Sequence, residues 1–243
     1  MKKVILLIIL LYSSLVVMAQ ETQQPIHGNN NKIKEVKDIK YFNRIVIDGP
    51  FQVKLIKSIN ANNIILKGSE NIISLIKVTT TDDGLLTIAL PNNIKLKGHK
   101  NNKIKIRVPY NTELKEINLI GSGKIFGKNT FYNDLMVRLS GTGNININLK
   151  NKKIEAIVLG SGCITLNGKT NDFTCKLIGS GTINAKQLKA NIVDAIISGA
   201  GNIKTKCNKS IKGKISGTGI LTFTGNPDEK SFKRIGSGEF KAF

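Results

Sequence analysis

The chain has 243 residues, a formal charge of +21 at pH 7, three cysteines and no tryptophan. That length suffices for one substantial domain with its own core, and three thiols, an odd number, cannot all pair internally. Zinc needs about four converging ligands, whereas Cys163, Cys175, Cys207, His27 and His99 are scattered, so no metal site or other cofactor is expected.

The N-terminus reads as a signal peptide over residues 1–19. Lys2 and Lys3 precede an apolar run from Val4 to Val17, and Val17-Met18-Ala19 presents small or aliphatic residues where a signal peptidase cuts. The run is too short for a membrane-spanning helix, which needs roughly 20 residues, so no transmembrane span is expected in the mature chain. No cysteine follows it, which argues against a lipoprotein. Residues 20–38, polar and rich in Gln, Asn and Lys, read as a flexible lead-in.

From residue 39 to residue 243 the pattern is that of strands. Tyr41–Ile56, Gly84–Leu90 and Lys103–Pro109 each alternate apolar and polar residues and end near Gly, Pro or Asn. They read as the opening rungs of a solenoid. Then Gly-x-Gly triplets begin at Gly121, Gly141, Gly160, Gly179, Gly199, Gly217 and Gly236, at steps of 20, 19, 19, 20, 18 and 19 residues. Such a period marks stacked structural units.

Aligning the triplets shows what each unit is. Two residues before the first glycine stand Leu119, Leu139, Val158, Leu177, Ile197, Ile215 and Arg234. Four after it stand Ile125, Ile145, Ile164, Ile183, Ile203, Leu221 and Phe240, and the next column is Phe126, Asn146, Thr165, Asn184, Lys204, Thr222 and Lys241. Apolar and polar columns alternate with period two, the geometry of strands with one face buried. The expected fold is all-β: a single-domain right-handed parallel β-helix, or β-solenoid, of about 19-residue rungs with Gly-x-Gly corners.

The small residues inside the triplets, Ser122, Thr142, Ser161, Ser180, Ala200, Thr218 and Ser237, predict a hydroxyl ladder bonded to the backbone of one corner, and Asn133, Asn171 and Asn191 mark a second corner. The same register places Cys175 inside the wall and Cys163 outside it. Phosphate binding fails: Gly123-Lys124 is followed by Ile125, and no triplet has a third glycine three residues on, so neither the Walker nor the dinucleotide pattern is met. Calcium β-rolls fail too, because the place of their Asp holds Ile, Leu or Phe.

The order of motifs resembles the head GIN domain family, the auto-transporter adhesin head domains common in exported Bacteroidota proteins. The resemblance rests on Phe42 with Ile45-Val46-Ile47-Asp48-Gly49-Pro50-Phe51-Gln52-Val53, on the Asp83-Gly84-Leu85 turn, on Ile106-Arg107-Val108-Pro109 and on the first triplet at Gly121. It spans roughly residues 39 to 240. It implies a β-helical cell-envelope or secreted protein (periplasm, outer-membrane surface or extracellular) with adhesion as its role and no catalytic motif to carry over. After the repeats the chain has no room for the eight or more strands of a translocating barrel.

Three functional classes compete. Catalysis on a β-helix needs clustered carboxylates; Asp134 and Asp172 share a column, but Lys153 stands between them, and both fall in a turn where Asp caps. A non-enzymatic adhesion or binding module fits export and long flat faces. Stacking on sugars is disfavoured by 5% aromatic content, with Phe126 the one aromatic in its outward column. An anionic polysaccharide or cell-surface component held by Lys176, Lys214 and Lys233 is then the expected partner, against the alternative that these lysines form a solvated wall. Nucleic acid is not expected as partner of an exported chain, and codon bias toward Lys, Asn and Ile accounts equally for the charge. The third class is a structural envelope spacer, self-associating through the solenoid end at Phe240 and Phe243.

Overall fold

The computed structural model describes residues 24–58, 62–91, 94–96 and 103–242. The expected signal peptide, His99 and Phe243 lie outside these residues. β1 (Gln24–Ile26) and β2 (Lys32–Asp38) lead into β3 (Arg44–Asp48) and β4 (Gln52–Lys57). β5 (Asn63–Ser69), a one-turn helix α1 (Glu70–Ile73) and β6 (Lys77–Thr80) follow, then β7 (Leu85–Ala89), β8 (Ile94–Leu96) and β9 (Lys105–Tyr110). The repeats form β10 (Glu116–Gly121), β11 (Lys124–Phe131), β12 (Leu135–Gly141), β13 (Asn144–Lys150) and β14 (Lys153–Gly160). Three long strands bend through the second corner without a break: β15 (Cys163–Gly179), β16 (Thr182–Gly199) and β17 (Asn202–Gly217). β18 (Ile220–Thr224), β19 (Glu229–Ile235) and β20 (Glu239–Ala242) complete the series.

The pairing is that of a parallel β-solenoid, with triplet glycine stacked on triplet glycine: Gly121 on Gly141, Gly141 on Gly160, Gly160 on Gly179, Gly179 on Gly199 and Gly199 on Gly217. Apolar columns therefore stack inside. Leu119, Leu139, Val158, Leu177 and Ile197 on one wall, and Ile145, Ile164, Ile183 and Ile203 on the other, are all 1% exposed or less. Each such side chain contributes about 1.5–3 kcal/mol of burial. Cys175 is buried in the first of these walls and Cys163 is half-buried facing outward, as the register predicts.

The corner closes through backbone alone. Ser161 and Gly162 donate their amide hydrogens to Gly141 O at 3.0 and 2.9 Å, and Ser180 and Gly181 repeat the pattern on Gly160 O at 3.1 and 2.9 Å. Gly179 has φ +116°, and a Cβ there would meet Gly160 O at 2.5 Å; only glycine tolerates both constraints. The expected hydroxyl ladder is corrected accordingly. Because the amides already satisfy the carbonyl beneath, the Ser161 and Ser180 hydroxyls point to solvent and make no hydrogen bond among the described residues. The second corner does carry a side-chain ladder, in which the Asn191 amide donates to Asn171 Oδ1 at 3.0 Å and the Asn208 amide to Asn191 Oδ1 at 3.4 Å.

The opening rungs depart from simple succession. β7 stacks on the outer side of β3 and β9 on the outer side of β4, while β10 and β11 stack on their inner sides. The rung written second in the chain is thus the first in space. Three antiparallel pairings finish this end: β2 with β5, β5 with β9, and β6 with β7. α1 turns Ile72 and Ile73, both fully buried, onto the last apolar layer. The lead-in expected over residues 20–38 is in part strand, since Lys32–Asp38 supplies the outermost ribbon and hides the β5 edge. At the opposite end Phe232 stacks on Phe240 with centroids 4.5 Å apart, and both pack against the core.

Candidate functional site

The rung order brings together residues that the sequence keeps far apart. Lys57 ends β4 and is in register with Tyr110 at the end of β9. Beside them β11 bulges: the three residues between Phe126 and Thr130 stand opposite the single residue between Asn146 and Asn148 on β13. The bulge carries Asn129 outward, where its Oδ1 accepts the Lys57 backbone N–H at 3.4 Å. An Asx turn, with Glu113 N–H donating to Asn111 Oδ1 at 2.9 Å, shapes the segment after β9. Between bulge and turn opens a cleft of about 570 Å³ lined by Tyr41, Lys57, Asn111, Thr112, Glu113 and Asn129.

Every tyrosine of the described residues lies at this place. Tyr41 is 53% exposed and Tyr132 is 60% exposed, large values for aromatic side chains. The Tyr41 hydroxyl donates to Glu113 Oε2, and that bond to a carboxylate raises the Tyr41 pKa. Tyr132 presents its ring to the Lys57 ammonium, 5.5 Å from the centroid. Tyr110 is buried beneath them, stacked on Phe131 with centroids 4.6 Å apart. Burial pushes its phenol up to about 12, and its hydroxyl has no hydrogen-bond partner among the described residues. A buried donor without a partner is uncommon and costly. The small cavity it lines is shared with Lys57, Thr130 and Tyr132.

The chemistry available is that of recognition. Two exposed rings offer faces for stacking, Asn111 and Asn129 offer amides, and Lys57 offers a cation. Among the described residues Glu113 is the one carboxylate in the lining, already engaged by Tyr41.

The residues singled out from sequence sit elsewhere. Lys176, Lys214 and Lys233 are exposed on the outer face of the wall that precedes the triplets. Lys214 and Lys233 are adjacent in register, but Ile196 separates Lys214 from Lys176, and Ile157 follows Lys176. Asp134 and Asp172 are not drawn into a cleft: Asp134 Oδ1 accepts the Lys153 N–H at 2.8 Å, and Asp172 Oδ1 accepts from the Asn171 side chain at 3.0 Å. Asp134 caps the turn, as its position predicts, whereas Asp172 lies within β15 and its carboxylate meets the neighbouring Asn171 side chain rather than a turn amide. Sequence reasoning passed over the tyrosines because Tyr41, Tyr110 and Tyr132 lie outside the columns aligned on the triplets. Their signal was compositional: no tyrosine occurs after Tyr132.

These features define a single-domain β-solenoid whose side wall, rather than its interior, is open to a ligand. Within that class the chain belongs to the family described as "Putative auto-transporter adhesin, head GIN domain", which it matches over residues 41–227. A solved "putative adhesin" from Bacteroides fragilis NCTC 9343 is 27% identical, with a TM-score of 0.81, covering 90% of this chain and 100% of that one. A "putative lipid binding protein" from Parabacteroides distasonis ATCC 8503 has 24% identity and a TM-score of 0.70, again over 90% and 100% of the two chains. A "putative adhesin" from Parabacteroides merdae ATCC 43184 has 21% identity and a TM-score of 0.69, over 90% and 98%. The last two speak to the fold alone. Among curated proteins no sequence matches. No helix of the described residues is long and apolar enough to cross a membrane.

Proposed function

We propose that this chain is an exported, non-enzymatic adhesion module of the cell envelope that holds a carbohydrate on its side wall, at the cleft lined by Tyr41, Asn111 and Asn129. The observation that carries this reading is the exposed ring of Tyr41 beside the amides of Asn111 and Asn129 in one open cleft, with the exposed ring of Tyr132 on the adjoining small cavity that shares Lys57 and Asn111. Aromatic faces pack on sugar rings, and side-chain amides bond their hydroxyls in both directions. Glycoside hydrolysis uses a pair of carboxylates across the scissile bond, and this lining holds only Glu113, which favours binding over turnover. Family membership favours adhesion, and the N-terminal signal reading favours export to the periplasm, the outer-membrane surface or the medium.

The test is a glycan panel presented to residues 20–243 and to the Tyr41→Ala variant at near-physiological salt. Saturable binding weakened by the substitution supports the cleft; binding untouched by it moves the site elsewhere. A structural envelope spacer is the second reading. It is favoured by β19 and β20, each of which pairs on one side only among the described residues and so offers an edge to another chain. Light scattering at high concentration decides it, since a strictly monomeric protein removes assembly through that edge.

A further inference from the structure

Starting next to Tyr132, a single file of lysines runs along the solenoid. Lys150 is in register with Lys169, Lys169 with Lys189, and Lys189 with Lys206. The residues flanking them in the chain, among them Leu149, Thr170, Leu188, Ala190, Thr205 and Cys207, are buried, so all four ammonium groups project from the outer face. At about 4.8 Å per rung the file is about 14 Å long. Phe131 is in register with Leu149, so Tyr132 stands beside the start of the file, on the small cavity that adjoins the cleft.

Like charges directly opposite one another in a sheet are unfavourable, and here three successive pairs are lysine on lysine. The ion pairs of the described residues, Lys37–Glu35, Lys40–Asp82, Arg44–Asp83 and Lys241–Glu239, use none of the four. The nearest acids along the chain, Glu155, Asp172 and Asp194, form no ion pair with the file among the described residues. Other outward columns are mixed. The one holding Lys176, Lys214 and Lys233 is interrupted by Ile157 and Ile196, and the one after the triplets reads Asn144, Cys163, Thr182 and Asn202.

We infer that the Lys150–Lys169–Lys189–Lys206 file is the binding track for a linear anionic polysaccharide, lying along the solenoid axis with one end on Tyr132. The inference rests on the carbohydrate reading of the cleft and adds the ligand's charge and direction. An extended uronate or sulfated glycan repeats its charge at intervals of one or two sugar units, which a straight row of cations meets from end to end. Single-stranded nucleic acid is the poorer fit, because its bases call for a succession of aromatic platforms and the file has one ring, at its end. Lysine ammoniums also suit such a ligand as mobile point charges that do not demand one oxygen geometry.

Two charge-matched double variants test it: Lys169→Glu with Lys189→Glu on the file, and Lys176→Glu with Lys214→Glu on the other wall. The probes are polygalacturonate and heparin, with dextran as neutral glycan and oligo-dT as the other polyanion. The file variant is expected to lose polygalacturonate or heparin affinity by about tenfold or more, with a shallower salt dependence, while the other-wall variant changes little. Equal losses in both variants reduce the effect to net charge and overturn the track. Tighter binding of oligo-dT than of either glycan, lost in the file variant, overturns the ligand class. Dextran binding sensitive to Tyr41→Ala but not to the file variant leaves the cleft standing whatever the polyanions do, so the two readings fail separately. Thermal unfolding of each variant in parallel shows whether a loss comes from misfolding.

Discussion

The Lys57 ammonium stands 5.5 Å from the centroid of the Tyr132 ring, although Lys57 ends β4 and Tyr132 follows the end of β11 on another rung. The contact exists because β4 and β11 are neighbours in register and the bulge on β11 delivers Tyr132 to the same edge as Lys57. A cation over an exposed ring contributes about 0.5–1 kcal/mol. Its larger consequence is positional, since it holds an aromatic face on the small cavity that adjoins the cleft. Tyr132→Ala should lower carbohydrate affinity by roughly tenfold, as removal of an aromatic anchor does, with little change in the thermal midpoint. Tyr132→Phe should keep both. Calorimetric titration beside a thermal melt reads the two quantities, and an unaffected affinity in Tyr132→Ala would remove the ring from the site.

The corner glycines make a stability prediction of a different kind. Gly179→Ala must place a Cβ 2.5 Å from Gly160 O at φ +116°. Relief requires either backbone strain or opening of the stack, and a cost of about 3 kcal/mol is expected from denaturant unfolding. Ser180→Ala, at the exposed neighbour, should stay within about 0.5 kcal/mol of the parent. Equal effects at the two positions would mean that the corner is not under the constraint described.

The thiols divide by wall. Cys175 and Cys207 are fully buried. Burial raises the pKa of both, with a further push at Cys175 from the Asp194 carboxylate. Cys163 is half-buried on the outward side, its sulfur 3.8 Å from Thr165 Oγ1. A chromogenic disulfide reagent should therefore titrate one thiol per native chain and all three cysteines once the chain is unfolded. Cys163→Ser should abolish the native reaction.

The tyrosines give a pH signature. Hydrogen bonding to Glu113 raises Tyr41 above 10.0, and burial takes Tyr110 to about 12. Both shifts favour the protonated phenol in the folded state. Their contribution to stability is therefore complete below the unfolded value near 10 and is lost as pH rises through the folded values. Ultraviolet titration of phenolate absorbance should show a last step near 12 that Tyr110→Phe removes. Glu113→Gln should move the Tyr41 step back toward 10.0, and an unmoved step would show that the Glu113 bond is absent in solution.

Most of the solenoid is local information. The Gly-x-Gly spacing and the period-two columns determine strands, corners and the buried or exposed placement of Leu177, Cys175 and Cys163, because a strand fixes side-chain direction residue by residue and a positive-φ corner admits only glycine. Local pattern does not determine how the rungs are ordered. β7 and β9 lie outside β3 and β4, and Lys32–Asp38 becomes a strand only by pairing with β5, since an exposed sheet end draws in whatever segment can cover it. Tyr41, Tyr110 and Tyr132 meet as a result of that ordering, and each taken alone resembles an ordinary strand-end aromatic.

The lysine file shows the same division most plainly. Its members stand nine, nine, ten and seven residues after the first glycine of their triplets, so no fixed offset aligns them. The register between β16 and β17 shifts between Ala185 and Lys189, and again before Ile192. Bulges there absorb the difference and set Lys189 over Lys206. Residue types and alternation, and with them which side chains face out, are written in the sequence. Which outward side chains stack on one another was decided by packing, because an insertion at a corner is taken up wherever the core allows a bulge, and that is a property of the whole stack.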